Sequence, residues 1–275
     1  VKEGQFYEAH QQLRVIASRY TKSSDWASAV DLLASGASML LNAGQGGSGG
    51  DLCMFLMDVY GKAELKPDTT NKARLLSLLR EFPEGEPTRK RFAGEFGEYP
   101  AGDPELHHVI GTLYAEEDGE ALEAEKHLTL GSADSAATFA SLEYNWYASD
   151  EPSTAPHYAA RVVFPYLLVG NLRAANKAFL LFTSKLSSSN PGLSVQEVGS
   201  VSSDLRVYPS LPLLNFLGLL LLAIEKGSAD VFKQLKSHYA SYIKDAGNWN
   251  EALAQVGEMY FGIKIPSQSN PLFDM

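Results

Sequence analysis

GQFYEAHQQL (residues 4–13) and SDWASAVDLL (residues 24–33) align without a gap. Three further stretches follow the same layout: GEALEAEKHL (119–128), GNLRAANKAF (170–179) and GNWNEALAQV (247–256). Each has Gly or Ser at the first position, Ala at the sixth, and Leu, Phe or Val at the tenth. A small Ala lets a neighbouring helix approach closely, while larger residues fill the groove between the two helices. The layout therefore predicts stacked helical hairpins, repeated at irregular intervals.

Apolar residues spaced near the helical period of 3.6 support this interpretation along most of the chain. In the first two copies they are Phe6, Leu13, Ile16 and Tyr20, and then Trp26, Val30, Leu33 and Leu40. Further helices are expected to start at Asp51, Asp68, Asp103, Ser132, Pro209, Ser228 and Asn248, several behind plausible caps. We therefore predict an all-α fold, a right-handed α-solenoid of about 13 helices arranged as tetratricopeptide-like hairpins.

One segment, NPGLSVQEVGSVSSDLRVYPSLP (190–212), departs from the helical pattern because it is rich in Ser, Gly, Pro and Val. LSVQEV and DLRVY are short runs with β-branched residues, separated by GSVSS. This arrangement predicts one small β-hairpin near residues 193–207. Because an isolated hairpin is not stable in water, we expect it to pack on a neighbour, in this chain or in a partner.

Composition limits the classes of function. The chain of 275 residues has a net charge of -10, which argues against a general nucleic-acid binder and against docking on an anionic membrane. The single Cys53 excludes an internal disulfide framework and fits a reducing compartment. No signal-like start is present, and the apolar run 211–224 is too short to span a bilayer comfortably. We expect a cytoplasmic (cytosolic) protein.

Acidic residues are concentrated between Glu98 and Glu151, where Lys126 is the only Lys or Arg. A solvated acidic face accounts for this pattern, and a docking surface for a basic partner is the alternative. The sequence leaves both interpretations open.

The stretch AGQGGSGGD (43–51) matches a dinucleotide-binding fingerprint by spacing, with Gly44, Gly46 and Gly49 at G-x-G-x-x-G positions. That fingerprint requires a strand before the glycines, whereas the preceding residues are helical in period. We interpret the stretch as a flexible connection between two helices, in which glycine supplies left-handed backbone. Asp51 is then expected to cap the next helix.

Catalytic and metal-binding patterns are missing from the sequence. The six histidines include no His-Glu-x-x-His arrangement, and the adjacent His107 and His108 point in different directions on a helix. No Gly-x-Ser-x-Gly elbow occurs, and Cys53 on an apolar helix is expected to lie in the core. We therefore predict no catalytic residue, cofactor or metal, and a non-enzymatic protein that binds other proteins.

Six stretches carry a more specific signal. They are YEAHQQLRVIASRY (7–20), QGGSGGDL (45–52), EYPAGDPELHHVIG (98–111), EAEKHLTLGSADS (123–135), LLNFLGLLLL (213–222) and EMYFGIKIPSQSNPLFDM (258–275). Together they resemble the Golgi-to-ER traffic protein 4 family. The matches are collinear and span nearly the whole chain, so they are more specific than any single motif.

The resemblance implies a scaffold in the guided entry of tail-anchored membrane proteins into the ER. The N-terminal half, residues 1–150, would bind the cytosolic targeting ATPase. The C-terminal half, residues 151–275, would hold the N-terminal segment of a ubiquitin-like adaptor, which recruits a glutamine-rich tetratricopeptide co-chaperone. Both halves are expected to form one continuous solenoid, and no direct membrane insertion is implied.

For the ATPase, the resemblance implies a basic stretch at the start of the first helix and an acidic residue after the QGGSG segment. That acidic residue is associated with restraint of ATP hydrolysis. Lys2 is all that this chain shows of the basic stretch, and Asp51 occupies the acidic position. Arg14, Arg19 and Lys22 are further docking candidates, with solvated helix positions as the alternative.

For the adaptor, the predicted surface combines the hairpin with the unusually apolar helix after it. Its candidate residues are Val195, Val198, Leu205, Val207, Tyr208, Leu211, Leu213, Leu214, Phe216 and Leu217. A helix that is apolar on most sides must be buried on most sides, so burial inside the chain is the competing explanation. A generic tetratricopeptide-like adaptor that binds short peptides is the alternative function.

Overall fold

The fold was obtained as a computed structural model, which describes residues 5–66, 68–94, 101–117, 119–197 and 206–264. Within these ranges the chain forms fourteen α-helices and one two-stranded antiparallel hairpin. The predicted all-α fold of helical hairpins with one small β-hairpin is confirmed. The chain divides into two compact units, residues 1–135 and 136–275, which we call unit 1 and unit 2.

Unit 1 is built from the first seven helices. They are α1 (Phe6–Lys22), α2 (Trp26–Asn42), α3 (Gly46–Lys62), α4 (Thr69–Glu81), α5 (Thr88–Gly94), α6 (Pro104–Glu116) and α7 (Ala121–Leu130). Each of these helices packs on helices one or two places along the chain, which is the pattern of stacked hairpins. Its apolar core includes Leu33, Leu40, Leu52, Leu56, Leu79, Phe92 and Leu106.

Unit 2 begins within the first turn of α8 and contains the hairpin. Its elements are α8 (Ser135–Tyr147), α9 (Ala155–Leu168), α10 (Leu172–Ser189), β1 (Gln196–Glu197), β2 (Arg206–Val207), α11 (Pro212–Glu225), α12 (Ala229–His238), α13 (Ala240–Lys244) and α14 (Trp249–Phe261). The last helix, α14, also packs on α9, which lies well before it in the chain. Among the described helices, none has both the length and the apolar character needed to cross a membrane.

The repeat copies whose first residue is described share a backbone conformation at that residue. Each copy starts a helix at its third residue, and these helices are α1, α2, α7, α10 and α14. The first residue has a positive φ wherever it is described, 57° at Ser24, 82° at Gly119, 77° at Gly170 and 67° at Gly247. At Ser24 and Gly170 this left-handed residue directly follows the C-cap of the preceding helix, and glycine adopts the conformation without strain. The first repeat position is therefore a turn position.

The sixth repeat position is where neighbouring helices meet. Ala29, Ala124 and Ala175 are completely buried, whereas Ala9 and Ala252 are half-buried. The half-buried pair belongs to the first and last helices. The alanine at this position is thus fully buried only in the three copies that lie between the first and the last helix.

The predicted connection is confirmed only at its start, where Gly44 has left-handed backbone with a φ of 73° just after α2. From Gly46 onward the segment is helical, so the prediction of a flexible connection is wrong there. α3 begins at Gly46 and continues through the glycines. A Cβ added at Gly49 would lie 2.6 Å from Leu41 Cγ, and one at Gly50 would lie 3.0 Å from Thr88 Cβ. These glycines are therefore required by the close approach of α2 and α5 to α3, and not by flexibility.

Most of the other predicted helix starts agree with the structure. Asp68, Asp103 and Ser228 each accept a hydrogen bond from a backbone N–H of the first turn that follows. α14 starts directly after Asn248, without a side-chain cap. α8 and α11 start at Ser135 and Pro212, each three residues later than predicted.

Candidate partner-binding surfaces

Three side chains of unit 1 form a charge cluster between α1 and α3. His10 Nε2 lies 2.8 Å from Asp51 Oδ2, and the Arg14 guanidinium donates to the same oxygen. The Arg14 guanidinium also lies over the Phe55 ring, 5.7 Å from its centre. We call His10, Arg14 and Asp51 the α1–α3 cluster. It brings two of the predicted ATPase-binding residues together, Arg14 and Asp51, and it adds His10, which is not among the predicted ones.

The hydrogen bonds of His10 fix its tautomer. The Gln11 side-chain amide donates to His10 Nδ1 over 3.3 Å, so Nδ1 is an acceptor and Nε2 carries the proton given to Asp51. Partial burial by itself would raise the pKa of Asp51, but the hydrogen bonds from Arg14 and His10 outweigh it and hold that pKa below 3.8. Asp51 is therefore a fixed negative charge at neutral pH.

Asp51 does not cap a helix, which corrects the expectation from sequence. The residue before α3 is Gln45, and Asp51 lies in the second turn of that helix. Its carboxylate is directed to α1 instead, where it accepts the bonds from His10 and Arg14. The pairing joins positions 41 and 37 residues apart, which no local pattern reveals.

The outer face of α1 carries the other predicted basic residues. Arg19 and Lys22 are exposed in its last turn, whereas Lys2 lies outside the described residues. Tyr7 and Val15 are 72% and 51% exposed. At about 100° per residue, these four side chains fall within about 120° around the helix axis. We call Tyr7, Val15, Arg19 and Lys22 the α1 stripe.

Two expectations about α1 change with the structure. Ile16, predicted as an inward position, is 39% exposed. The buried residues of α1 are His10 and Ala17. The exposed Tyr7 and Val15 were missed because they sit outside the apolar period, and an apolar residue off that period is the signal that would have found them.

The hairpin predicted near residues 193–207 is present at its base. Gln196 pairs with Val207, and Glu197 pairs with Arg206. Val195 and Val207 are half-buried, so both keep exposed surface. The predicted adaptor-binding residues Val198 and Leu205 lie outside the described residues.

Most predicted adaptor-binding residues after the hairpin are buried within the chain. Among them Leu213 is half-buried, and the rest, Tyr208, Leu211, Leu214, Phe216 and Leu217, are at most 3% exposed. The competing explanation, burial inside the chain, thus holds for these five. Of the predicted adaptor-binding residues on α11, Leu213 alone keeps exposed surface.

An open cleft between α11 and α12 was not found from sequence. It has a volume of about 610 Å³ and is lined by Leu219, Val231, Gln234, Leu235, Ser237, His238 and Tyr239. Val231 is 42% exposed. The cleft is a concave, partly apolar surface, and one of its walls is α11, the helix that follows the hairpin.

The described residues offer little for catalysis. Cys53 is buried, and burial raises the pKa of its thiol, so the thiol is a core group with no thiolate character at neutral pH. No three His, Cys, Asp or Glu side chains of the described ranges come together to hold a metal ion. What the two units present is exposed charge and apolar surface.

A model of the family described as Golgi to ER traffic protein 4 matches residues 23–275. This chain belongs to that family. The Golgi to ER traffic protein 4 of Aspergillus fumigatus is 58% identical over 100% of this chain and 85% of its own length. That of Schizosaccharomyces pombe is 34% identical over 98% of this chain and 89% of its own. The family resemblance noted in the sequence is confirmed.

The fold of this family member has a solved counterpart. The crystal structure of C. therm. Get4 superposes with a TM-score of 0.91 at 53% identity, covering 100% of this chain and 89% of that one. The human homolog is more distant, at 28% identity over 98% of this chain and 79% of its own length. The family name assigns its members to traffic between Golgi and ER.

Proposed function

We propose that this chain is a non-enzymatic, cytosolic scaffold that helps to target tail-anchored membrane proteins to the ER. It bridges the cytosolic targeting ATPase and a ubiquitin-like adaptor, which in turn brings a glutamine-rich co-chaperone. Membership of the Golgi to ER traffic protein 4 family, over residues 23–275, is the observation that carries the proposal.

Unit 1 supplies the ATPase-binding surface in this proposal. The α1 stripe combines Arg19 and Lys22 with the exposed Tyr7 and Val15. Exposed basic residues give fast, salt-sensitive association, and the adjacent apolar groups add buried area on docking. This combination is typical of an interface that forms and separates repeatedly.

Asp51 supplies the regulatory contact in this proposal. Its carboxylate is held by His10 and Arg14 and remains 39% exposed as a side chain. A carboxylate fixed in place costs little further ordering when a cation of the ATPase approaches it. Asp51 would thereby restrain ATP hydrolysis on the ATPase, since this chain binds no nucleotide of its own in the proposal.

Unit 2 supplies the adaptor-binding surface. The half-buried Val195 and Val207 border the hairpin base, and Leu213 and the α11–α12 cleft lie on the following helices. An extended apolar segment that enters a cleft of this size buries enough surface for slow dissociation. The adaptor's N-terminal segment is the occupant that we propose.

A generic peptide-binding adaptor is the second candidate. It is favoured by a cleft of about 270 Å³ between α8 and α9, lined by Trp146, Asp150, Thr154, His157, Tyr158 and Arg161. Trp146 is 42% exposed there and packs edge-on against Tyr158, 6.1 Å between ring centres. Rigid aromatic side chains beside a concavity are common anchors for short peptides.

Titrations of the purified chain with the ATPase and with the adaptor's N-terminal segment test the proposal. We expect both to bind at an ionic strength of about 0.05 M. At about 0.3 M the ATPase affinity should fall several-fold, because exposed charge pairs are screened. The adaptor affinity should change by less than about twofold, because apolar burial is insensitive to moderate salt.

Binding of neither partner would overturn the scaffold. Tight binding of ATP or NAD by the chain alone would contradict a function without nucleotide. If unrelated acidic or basic peptides bound as tightly as the adaptor segment, the generic peptide-binding function would replace the proposed one.

A further inference from the structure

Asn215 of α11 bonds to the backbone at the base of the hairpin. The Tyr208 N–H donates to Asn215 Oδ1 over 2.8 Å, and Asn215 Nδ2 donates to the Tyr208 carbonyl over 2.9 Å. The side-chain amide thus pairs with both backbone groups of the residue that directly follows β2. The two bonds resemble those that a residue of a neighbouring antiparallel strand would make to Tyr208, at the point where the chain turns into α11.

The turn between β2 and α11 fits the same arrangement. The Tyr208 carbonyl also accepts from Leu211 N–H over 3.1 Å, which closes a four-residue turn with Pro209 at its second position. Asn215 lies in the first turn of α11 and reaches back across this turn. Its amide orientation is fixed, because one end must accept and the other must donate.

Two side chains, those of Tyr208 and Arg206, also bond to α10. The Tyr208 side chain is 2% exposed, and its hydroxyl donates to the Thr183 carbonyl over 3.3 Å and lies 2.9 Å from Ser187 Oγ. Arg206 Nη1 donates to Ser184 Oγ over 3.0 Å. The strand β2 is therefore attached to α10 by side chains and to α11 by Asn215.

Two residues of each strand are paired in the part of the hairpin that the structure describes, and an isolated two-stranded hairpin is marginally stable at best in water. Its direction is set by what holds its base, and the Asn215 side chain bonds to both backbone groups of Tyr208 there. We infer that Asn215 is a positioning residue for the adaptor: it fixes the residue after β2 and thereby orients Val207 and the base of the hairpin for binding of the partner segment. This role rests on the adaptor-binding function proposed above.

Asn215→Ala removes both amide bonds and leaves the helix former alanine in α11. We expect the adaptor segment to bind roughly tenfold or more weakly, because two hydrogen bonds that pre-order the hairpin are lost. The Tyr208 amide, whose acceptor is Asn215 Oδ1, should exchange its hydrogen at least about tenfold faster in the free protein. ATPase binding should not change.

Asn171→Ala is the matched control. Asn171 caps α10 in the same unit by accepting from Ala174 N–H over 3.1 Å, so its loss destabilises unit 2 without touching the hairpin. We expect Asn171→Ala to lower the melting temperature by a few degrees, while adaptor affinity and Tyr208 amide exchange stay within about twofold of wild type.

The possible results distinguish the positioning role of Asn215 from the adaptor-binding function on which it rests. Wild-type protein that does not bind the adaptor segment overturns both the adaptor-binding function and the positioning role. Wild-type binding with equal affinity for Asn215→Ala overturns the positioning role alone. Equal losses of affinity in Asn215→Ala and Asn171→Ala also overturn it, because the effect would then follow stability and not the hairpin.

Discussion

Asp51 illustrates how a single carboxylate can serve both its own protein and a partner. It accepts from His10 and Arg14 while keeping part of its side chain exposed. Exposed ion pairs contribute little to stability, commonly about 0–1 kcal/mol, so the pairing with Arg14 is not what holds α1 to α3. Its main consequence is to fix where the negative charge lies.

Asp51→Asn tests this at the residue scale. The amide keeps the shape and one acceptor oxygen but removes the charge, so we expect the free energy of unfolding to change by less than about 1 kcal/mol. The rate at which the bound ATPase hydrolyses ATP should rise, as measured by phosphate release in the complex. An unchanged rate would remove the regulatory role from Asp51.

Asp31→Asn is its control. Asp31 pairs with Arg74 over 2.9 Å on the same unit, and its side chain is 71% exposed, more than the 39% of Asp51. We expect a comparably small loss of stability and no effect on ATP hydrolysis. Equal effects of the two substitutions on hydrolysis would show that net charge, and not the position of Asp51, is responsible.

The buried pair His107 and His127 gives unit 1 a pH dependence. His107 Nε2 donates to the Ala101 carbonyl over 2.5 Å, so its Nδ1 accepts from His127 Nδ1 over 2.7 Å. Burial, with a contribution from His107, lowers the pKa of His127 from 6.5 to about 4. Between pH 4 and pH 6.5, His127 therefore binds more protons in the unfolded chain than in the folded one.

The free energy of unfolding should therefore fall as the pH drops below about 6.5, and His127 should account for a loss of about 2 kcal/mol at pH 5. Urea unfolding at pH 7 and at pH 5 measures this difference in the free energy of unfolding. In His127→Phe the difference between the two pH values should shrink, whereas His238→Gln, at an exposed position, should leave it unchanged. A difference that persists in His127→Phe would assign it to other groups.

At the scale of elements, the contact between α2 and α3 depends on missing side chains. Gly49 faces Leu41, including its backbone nitrogen 3.1 Å from where a Cβ would lie, whereas a Cβ at Gly47 meets nothing within 4 Å. Both glycines are in the first turn of α3. They are thus a natural pair for separating packing from helix propensity.

We expect Gly49→Ala to destabilise the protein by about 1–3 kcal/mol, because Leu41 and the backbone of α2 must move. Gly47→Ala should stabilise it by about 0.5–1 kcal/mol through helix propensity alone. Urea unfolding of the two variants provides the comparison. Stabilisation in both would mean that α2 and α3 do not approach as closely as described.

The same segment shows where sequence reasoning stops. The turn glycines and alanines of the repeat are local signals, and they predicted the starts of α1, α2, α7, α10 and α14. Helix propensity argues against helix in GGSGG, yet tertiary packing outweighs it, since only glycine fits beneath Leu41 and Thr88. Propensity scales carry no information about side chains of other helices that pack against a segment.

The candidate surfaces show a related limit. The apolar helix α11 was correctly expected to be buried on most sides, but its sequence could not say by what. Leu214, Phe216 and Leu217 prove to be internal, whereas Leu213 keeps exposed surface. The amide pairing of Asn215 with Tyr208 depends on a turn geometry that no composition rule specifies.

On the scale of the whole molecule, the two proposed surfaces belong to different compact units. The α1 stripe and the α1–α3 cluster are supported by helices of unit 1, and the hairpin is attached to α10 and α11 of unit 2. The contacts named above for each surface thus lie within its own unit. Such separation favours independent binding of the two partners.

Arg19→Glu and Val231→Asp test this independence, since both positions are exposed. We expect Arg19→Glu to weaken ATPase binding by about tenfold and leave adaptor affinity unchanged, because it reverses one interface charge. Val231→Asp should do the opposite, because it places a carboxylate in the α11–α12 cleft. In the double variant the two binding free energies should each match the single variant within about 0.5 kcal/mol. Calorimetric titration of one partner, in the absence and in the saturating presence of the other, measures the coupling free energy between the two sites. A coupling free energy larger than about 0.5 kcal/mol would contradict independent binding. It would then have to be the same for both partners.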